Sequence, residues 1–237
     1  MRTHDQSQQS LGHPGLPIRS GLTPMEEPVD PRSYSTKVKA YYHRRAPEYD
    51  DWWLGEGLYA PVPERWAAER DHLLETLAGL EPKRTLDVAC GTGFVTLHLP
   101  GDVVGIDQSD AMVHVAAKRV PHAEFVVGEA LQLPFADGSF ERVFTSHFYG
   151  HLEEAERLKF LAEARRVAPE LIVVDAATHG GLERDEWQDR VLKDGSKWRV
   201  YKRYFSSGTL LSEVGGGETI HSGKWFVAVR TPRASIA

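Results

Sequence analysis

Short β-branched segments alternate with helical segments from Arg84 onward, and this alternation limits the fold more than any other feature of the chain. The strand-like segments are RTLDVAC, DVVGID, AEFVVGE, ERVFTSH and ELIVVDAA. Between them lie a short helical stretch after Gly93 and two longer helical segments, SDAMVHVAAKR and LEEAERLKFLAEARRVA. Because a strand, a helix and a second parallel strand form a right-handed crossover, the pattern predicts an α/β fold around a mostly parallel sheet.

The C-terminal part of the chain adds two strand-like runs with no helix between them. ETIHSG and KWFVAVRT are separated by a Ser222-Gly223 turn, which predicts a hairpin whose last strand is antiparallel to its neighbours. The complete prediction is a Rossmann-like, doubly wound sheet of seven strands with helices on both faces. It is mostly parallel, with an antiparallel C-terminal strand.

The N-terminal part divides into a polar tail and a helical segment. Residues 1–33 are polar and rich in Gly and Pro, which predicts a flexible tail, and they lack the apolar centre of a secretory signal. Residues 34–80 carry a helix that ends near Arg45 and a second, amphipathic helix in VPERWAAERDHLLETLAGL. We interpret residues 34–80 as a lid or cap and residues 81–237 as the ligand-binding domain.

The composition excludes several classes of protein. A formal net charge of −6 argues against a protein that coats nucleic acid. The single cysteine, Cys90, excludes an intramolecular disulfide and a zinc cluster, which fits a cytoplasmic location. No apolar run reaches the ~18 residues of a membrane span, and the histidines lack metal-ligand spacing. Neither a membrane partner nor a metal is expected, and the sequence leaves monomer and dimer open.

The segment LDVACGTGF carries a glycine turn directly after a predicted strand. Gly91 and Gly93 start a dinucleotide-binding pattern, but its third glycine would fall at Thr96 and is missing. Asp87 lies in the strand just before the turn, where a pyrophosphate would meet a like charge at a cost of about 4 kcal/mol. A ligand with an ammonium and a sulfonium would be attracted instead. The turn therefore favours S-adenosylmethionine over a nicotinamide dinucleotide.

The next two predicted strands also end in acidic residues. Asp107 ends the second strand, where its carboxylate can accept both ribose hydroxyls, and Glu129 follows the third, near the expected adenine position. The carboxyl ends of parallel strands share one edge of a sheet, so Asp87, Asp107 and Glu129 are expected to face one site. The alternatives are that Asp107 is a helix cap and Glu129 a surface acid.

These residues resemble the class I S-adenosylmethionine-dependent methyltransferases, small-molecule branch, from about Tyr41 to Asp175. The matching motifs are LDVACGTG, the acid of GIDQS, GEALQLPFADGSFERVF and LIVVDA. The resemblance implies that the glycine turn holds the methionine part, that Asp107 binds ribose and that GEA frames adenine. Ala89 stands where the family often has glycine, and Glu129 replaces a more usual aspartate.

The predicted cofactor is S-adenosylmethionine, with S-adenosylhomocysteine as its product. The residues predicted to contact it lie at the strand ends, in the glycine turn and on the N-terminal helix: Tyr42, Arg45, Asp87, Ala89, Cys90, Gly91, Gly93, Asp107, Gln108, Met112, Glu129, Ala130, Leu131, Ser146 and His147.

The fourth predicted strand ends in FTSHFYGHL, which in this family lies beneath the transferred methyl group. His147, Tyr149 and His151 are the candidate catalytic bases or orienting groups, because histidine has a suitable pKa for proton removal near neutrality. The alternative is that His147 only walls the cofactor and His151 packs under the next helix. The Asn-Pro-Pro-Tyr motif of adenine methyltransferases is absent here, which argues against DNA adenine as the acceptor.

The acceptor is predicted to be a small molecule in an aromatic pocket. An insert at about residues 178–207 follows the fifth strand, and in this family such inserts cover the acceptor. The residues predicted to contact the acceptor are Trp52, Trp53, Tyr201 and Tyr204. They indicate a flat or apolar acceptor, with an anionic group near Arg199, Lys202 or Arg203. Several of these aromatic side chains are alternatively part of the core.

Three functions remain open from the sequence. The preferred one is methyl transfer to O, N or C of a small, aromatic or apolar organic acceptor. The second is an NAD(P)-dependent reductase, which Thr96 and Asp87 disfavour. The third is a member of the same fold that binds the cofactor without transferring a methyl group, since the binding motifs would be the same.

Overall fold

The computed structural model describes residues 31–179 and 185–231, and its centre is a seven-stranded sheet. The strands are β1 (Thr85–Val88), β2 (Val103–Asp107), β3 (Glu124–Val127), β4 (Arg142–Ser146), β5 (Glu170–Ala176), β8 (Glu218–Ser222) and β9 (Phe226–Thr231); β6 (Asp185–Val191) and β7 (Lys197–Arg203) form a separate sheet. The order is β3-β2-β1-β4-β5-β9-β8, in which β1 to β5 are parallel and β9 is antiparallel to both of its neighbours. The predicted Rossmann-like sheet with an antiparallel C-terminal strand is confirmed.

Helices flank the sheet on both faces. They are α1 (Pro31–Arg45), α2 (Asp51–Leu54), α3 (Trp66–Ala78), α4 (Asp110–Arg119), α5 (Glu154–Val167) and α6 (Ser207–Val214). Helix α1 ends where Pro47 approaches, since proline cannot continue an α-helix, and a 3₁₀ turn follows over Ala46–Glu48. The stretch after Gly93 forms only a 3₁₀ turn, Thr96–His98.

Strand side chains alternate between two apolar clusters, one on each face of the sheet. Val143 and Val173 pack with helices α5 and α6, whereas Phe144 and Val174, one residue later in each strand, pack with α3. Both faces are therefore covered, as a mostly parallel sheet requires. The carboxyl ends of β1 to β4 are left for ligands, at the point where the strand order reverses.

The segment between β5 and α6 forms the hairpin of β6 and β7, which pairs Gln188 with Val200 and Glu186 with Lys202. Exposure alternates along β6, so that Glu186, Gln188 and Arg190 are more buried than their neighbours. Residues 1–30, 180–184 and 232–237 lie outside the described part. Most of the predicted tail, residues 1–33, is therefore not described. Within the described ranges, no helix is long and apolar enough to cross a membrane.

Candidate active site

The glycine turn at the end of β1 has a left-handed backbone at three positions. Gly91 and Gly93 have φ angles of 54° and 72°, and Ala89 shares this region at 58°. A Cβ on Gly93 would lie 3.1 Å from Ala116 of α4, so this glycine allows the turn to pack on the helix. A Cβ on Gly91 would point at the ring of Tyr49 instead, 3.5 Å away, on the side of the turn that faces the N-terminal segment.

Asp107 ties the glycine turn to the end of β2. Its two carboxylate oxygens accept hydrogen bonds from the Gly91 N–H at 3.0 Å and the Ser109 N–H at 2.9 Å. Ser109 in turn caps α4 by accepting from the Met112 N–H at 3.3 Å. Burial raises the pKa of Asp107 to about 6, although these two amide donors oppose the shift. Asp107 therefore fixes the turn and keeps a carboxylate at the strand end.

Asp87 lies behind the turn rather than at the ligand side. It is almost fully buried, and its carboxylate accepts a hydrogen bond from Thr96 Oγ at 2.6 Å. Burial raises the pKa of Asp87 to about 7, Thr96 opposes this, and the nearby Asp107 adds to it. The residue that breaks the dinucleotide pattern, Thr96, is thus the partner of this buried acid.

The first of two adjoining cavities lies at the carboxyl ends of β1 to β4, and we call it the strand-end cavity. Its empty volume is about 910 Å³, including its open mouth. It is lined by Val38, Tyr42, Tyr49, Ala89, Gly91, Ile106, Asp107, Gln108, Met112, Gly128, Glu129, Ala130, Leu131, Ser146, His147, Phe148, His151, Leu152 and Glu156. Most of the residues predicted to contact a cofactor are therefore brought together.

Two buried polar atoms at the floor of the strand-end cavity have no hydrogen-bond partner in the described structure. They are Ser146 Oγ and His147 Nε2, which follow one another at the end of β4. Buried polar groups are nearly always satisfied in folded proteins, so these atoms indicate a ligand or water that completes them. Glu129 differs, because its side chain is 59% exposed and lies 3.8 Å from Lys39 of α1.

The second cavity adjoins the first, and we call it the basic cavity. Its empty volume is about 520 Å³ on the same basis. It is lined by Tyr42, Arg45, Tyr49, Trp52, Tyr59, His147, His151, Ala176, Gln188, Arg190, Lys202 and Tyr204. Tyr42, Tyr49, His147 and His151 belong to both cavities and form the wall between them.

The histidines of this shared wall are held in the neutral form. The pKa values of His147 and His151 lie well below the ordinary value, first because both are buried and then because Lys202, Arg45 and Arg190 are close. His151 Nδ1 lies 2.7 Å from the Tyr201 carbonyl, so Nδ1 carries the proton and Nε2 the lone pair. His147 has a left-handed backbone, with φ of 54°.

Three aromatic side chains surround His147 on the side of the sheet that carries α3. The rings of Trp52, Trp53 and Phe226 lie 4.6, 5.1 and 5.6 Å from its imidazole, all edge to face. Trp53 is also stacked between Phe94 and Phe226 at 5.2 and 5.7 Å. The imidazole is therefore fixed by packing, with Nε2 left free among the described residues.

Some predicted site residues are not brought to either cavity. Asp87, Cys90, Gly93, Trp53, Tyr149 and Tyr201 are absent from both linings. The 3₁₀ turn at Tyr149–His151 directs the Tyr149 ring into the core, against Phe160 and Phe205. Trp53 belongs to the apolar cluster under α3, and Tyr201 contributes its backbone carbonyl to His151. Tyr42 lines both cavities, and Arg45, Trp52 and Tyr204 line the basic cavity.

Sequence reasoning missed Gln188 and Arg190 on the insert and a polar network beneath the glycine turn. In that network Thr92 Oγ donates to Asp50 at 2.5 Å, and Arg119 donates to the Thr92 carbonyl at 2.9 Å and to Asp50. Asp50 follows α1, so the network joins the N-terminal segment to the turn. In the sequence, the only indication of this network is Asp50 itself, which lies in the acidic and aromatic run EYDDWW.

A protein-family model described as a methyltransferase domain matches residues 86–170. This segment runs from β1 to the start of β5 and contains the glycine turn, Asp107, Glu129 and both histidines of the shared wall. Most residues of the strand-end cavity therefore belong to the matched domain, whereas Arg45, Arg190 and Lys202 of the basic cavity lie outside it.

Curated relatives share this part of the chain. The demethylmenaquinone methyltransferase of Thermotoga maritima is 33% identical over 131 residues, which cover 53% of this chain and 54% of the relative. The demethylmenaquinone methyltransferase of Renibacterium salmoninarum is 35% identical over 134 residues, covering 55% and 54%. The chain spans about half the length of these relatives.

A solved structure matches over a longer stretch. The complex of DhpI with S-adenosylhomocysteine superimposes with a TM-score of 0.63 at 25% identity, covering 84% of this chain and 96% of that protein. The match thus extends beyond the family model to most of the described fold. The matched methyltransferase domain over residues 86–170 and the fold shared with DhpI together support a class I S-adenosylmethionine-dependent methyltransferase.

Proposed function

We propose that the protein binds S-adenosylmethionine in the strand-end cavity and transfers its methyl group to a small organic acceptor in the basic cavity. One observation carries this proposal: the two cavities share a wall that contains His147, whose buried Nε2 has no partner in the described structure. A donor and an acceptor on the two sides of this wall would be neighbours, and holding them together is the main task of a methyl-transfer enzyme.

The residues of the strand-end cavity fit the proposed cofactor. Asp107 would accept the ribose hydroxyls, the segment from Glu129 to Leu131 would frame the adenine, and the turn at Gly91 would approach the methionine part. Ser146 Oγ, unpartnered in the described structure, would gain a polar partner. When bound, S-adenosylmethionine supplies an activated methyl group on a positively charged sulfur.

The protein's own contribution would be positioning and the exclusion of water. From the N-terminal segment, Tyr42 and Tyr49 form part of the shared wall and Trp52 packs on His147. The hairpin of β6 and β7 lines the basic cavity from the other side. Low solvent access strengthens electrostatic interactions inside such a site. We infer that residues 34–80 and the insert have the predicted roles of lid and acceptor cover.

Calorimetry with S-adenosylhomocysteine tests the cofactor assignment. We expect binding of S-adenosylmethionine and S-adenosylhomocysteine and none of NADH or NADPH, because the Asp107 carboxylate lies at the turn and the buried Asp87 lies behind it. Binding of a nicotinamide dinucleotide alone would replace this proposal by the reductase alternative. With methyl-labelled donor and a set of small organic acids, phenols and amines, label is expected in the small-molecule fraction. Absence of S-adenosylhomocysteine formation with every acceptor would favour the non-transferring alternative.

Affinity for S-adenosylmethionine is expected to fall as the pH falls. In the free protein burial raises the pKa of Asp87 to about 7 and that of Asp107 to about 6. A bound cation favours both ionised carboxylates and lowers these pKa values, so the extra affinity is present above pH 7 and is lost as the pH drops through 7 and 6. We expect at least about tenfold weaker binding at pH 5.5 than at pH 8, since each group can contribute up to tenfold per pH unit.

The matched control for this pH dependence is Asp87→Asn, which keeps the side-chain shape but cannot ionise. Titrations at pH 5.5, 6.5, 7.5 and 8 should show a shallower dependence in this variant. Equal slopes in the variant and the wild-type protein would show that Asp87 is not part of the coupling.

A further inference from the structure

We propose that the basic cavity binds the anionic group of an organic oxyanion, a carboxylate or a phosphonate, and that a charged oxygen of this group receives the methyl. The inference rests on the proposed methyltransferase function and names its substrate class. It develops the anionic group that the sequence predicts on the acceptor, because three cationic side chains, Arg45, Arg190 and Lys202, line the cavity.

Arg45 and Arg190 bring charge into the basic cavity without a carboxylate partner. Arg45 is 5% exposed, and one of its Nη atoms donates to Tyr59 Oη at 2.9 Å. Arg190 donates to Gln188 Oε1 at 2.7 Å and to Tyr41 Oη at 3.4 Å. Both Nε atoms are buried and unpartnered, and no carboxylate oxygen within the described ranges forms an ion pair with either guanidinium. A buried charge in this state favours an incoming anion.

The acids near these arginines are already engaged elsewhere. Asp175, fully buried at the end of β5, accepts from Lys202 Nζ and from the Gly150 N–H. Glu186 accepts from Gln188 at 2.6 Å and from Tyr204 Oη at 3.1 Å. Lys202 is therefore compensated within the protein, whereas the charges of Arg45 and Arg190 remain for a ligand. Guanidinium groups suit this task because their N–H groups match the geometry of carboxylate and phosphoryl oxygens.

The surroundings of the two histidines argue against an acceptor that must lose a proton. Lys202, Arg45 and Arg190 face them as cations, the Asp175 carboxylate lies 3.9 Å from His147 Nδ1, and the phenols of Tyr42 and Tyr49 complete the wall. A proton taken up by either histidine would add a positive charge to this set. Burial and these cations lower both pKa values, so neither histidine is a good base here.

An oxyanion needs no base. Its oxygen supplies the electron pair of the new O–CH₃ bond, the S–CH₃ bond breaks with its pair left on sulfur, and no proton is released. The negative charge of the oxygen and the positive charge of the donor cancel, and the products are a methyl ester and S-adenosylhomocysteine. His147 and His151 are then orienting groups that donate or accept hydrogen bonds.

Binding of simple anions tests the inference without requiring turnover. Benzoate, phenylphosphonate and the neutral benzamide are titrated into the 237-residue chain, with and without saturating S-adenosylhomocysteine. We expect at least one anion to bind and benzamide not to bind. Arg190→Met and Arg45→Met should each weaken anion binding at least about tenfold, in the range for hydrogen bonds to charged groups. Arg84→Met, the same change on a side chain that is 55% exposed and directly precedes β1, should leave it within about twofold.

Affinity for S-adenosylhomocysteine in each variant separates this inference from the proposed function. An unchanged affinity for S-adenosylhomocysteine together with lost anion binding in the arginine variants supports the inference. If only benzoate binds, the anionic group of the substrate is a carboxylate; if only phenylphosphonate binds, it is a phosphonate. If S-adenosylhomocysteine binds but neither anion does, or if benzamide binds equally well, the inference is overturned and the methyltransferase proposal stands. It is also overturned if Arg45→Met weakens only S-adenosylhomocysteine binding. Arg190→Lys keeps a cation and should retain part of the affinity for the anion. It serves as the control if the Arg190→Met variant does not fold.

Discussion

Replacement of Asp107 by alanine is expected to weaken S-adenosylhomocysteine binding about 10- to 150-fold, or 1.5–3 kcal/mol, the range for a hydrogen bond to a charged group. The same carboxylate holds the amides of Gly91 and Ser109, at 3.0 and 2.9 Å. Its removal leaves two buried donors unsatisfied, so the free energy of unfolding of the ligand-free protein should also fall by about 1–3 kcal/mol. Calorimetry gives the first quantity and urea denaturation the second.

Glu129→Ala is the matched control, because it removes a second acid at the same edge of the sheet. Its side chain is 59% exposed and its ion pair to Lys39 is long at 3.8 Å. Surface pairs of this kind contribute little, so stability should change by less than about 0.5 kcal/mol. A wild-type affinity for S-adenosylhomocysteine in the Asp107 variant would remove this carboxylate from the cofactor site. An equal loss of unfolding free energy in the Asp107 and Glu129 variants would contradict the role of Asp107 in holding the glycine turn.

The fold and the strand-end cavity could be predicted because both depend on local patterns. Buried parallel strands are recognised in the sequence as runs of β-branched residues. An acid or glycine at the carboxyl end of such a run lies at one edge of the sheet, independently of the conformation of the loops. Asp107 and the glycine turn follow from this rule. Asp87 shows its limit: Leu86 and Val88 face the cluster with α5, so Asp87 points to the other side and reaches Thr96. The sequence shows the alternation but not which side faces the ligand.

The basic cavity could not be predicted in the same way because β6 reverses the usual pattern. Its apolar residues Trp187 and Val191 are 43% and 42% exposed, whereas the polar Gln188 and Arg190 between them line the cavity. A pattern of period two predicts a strand but not which face is covered, and apolar burial would choose the wrong face here. Only the packing of the hairpin against α1 and α2 decides this. For the same reason, the sequence did not indicate that Arg190 lines the basic cavity.

Aromatic residues near the site were the most ambiguous part of the sequence. Trp52 and Trp53 are adjacent, yet Trp52 lines the basic cavity whereas Trp53 lines neither of the two cavities described above. Trp53 is 2% exposed and is stacked between Phe94 of the glycine-turn region and Phe226 of β9. It therefore joins the N-terminal segment to the sheet, a role that an aromatic residue in a short helix does not reveal by itself.

Trp53→Ala is accordingly expected to lower the free energy of unfolding by about 3–5 kcal/mol, the cost of truncating a fully buried tryptophan. Trp187→Ala, the same change at a side chain that is 43% exposed, should cost less than about 1 kcal/mol. Trp53→Phe keeps a ring between Phe94 and Phe226 and should lose less than the alanine variant. Urea denaturation of the ligand-free proteins measures all three. A loss below about 1 kcal/mol for Trp53→Ala would contradict a core role for this side chain.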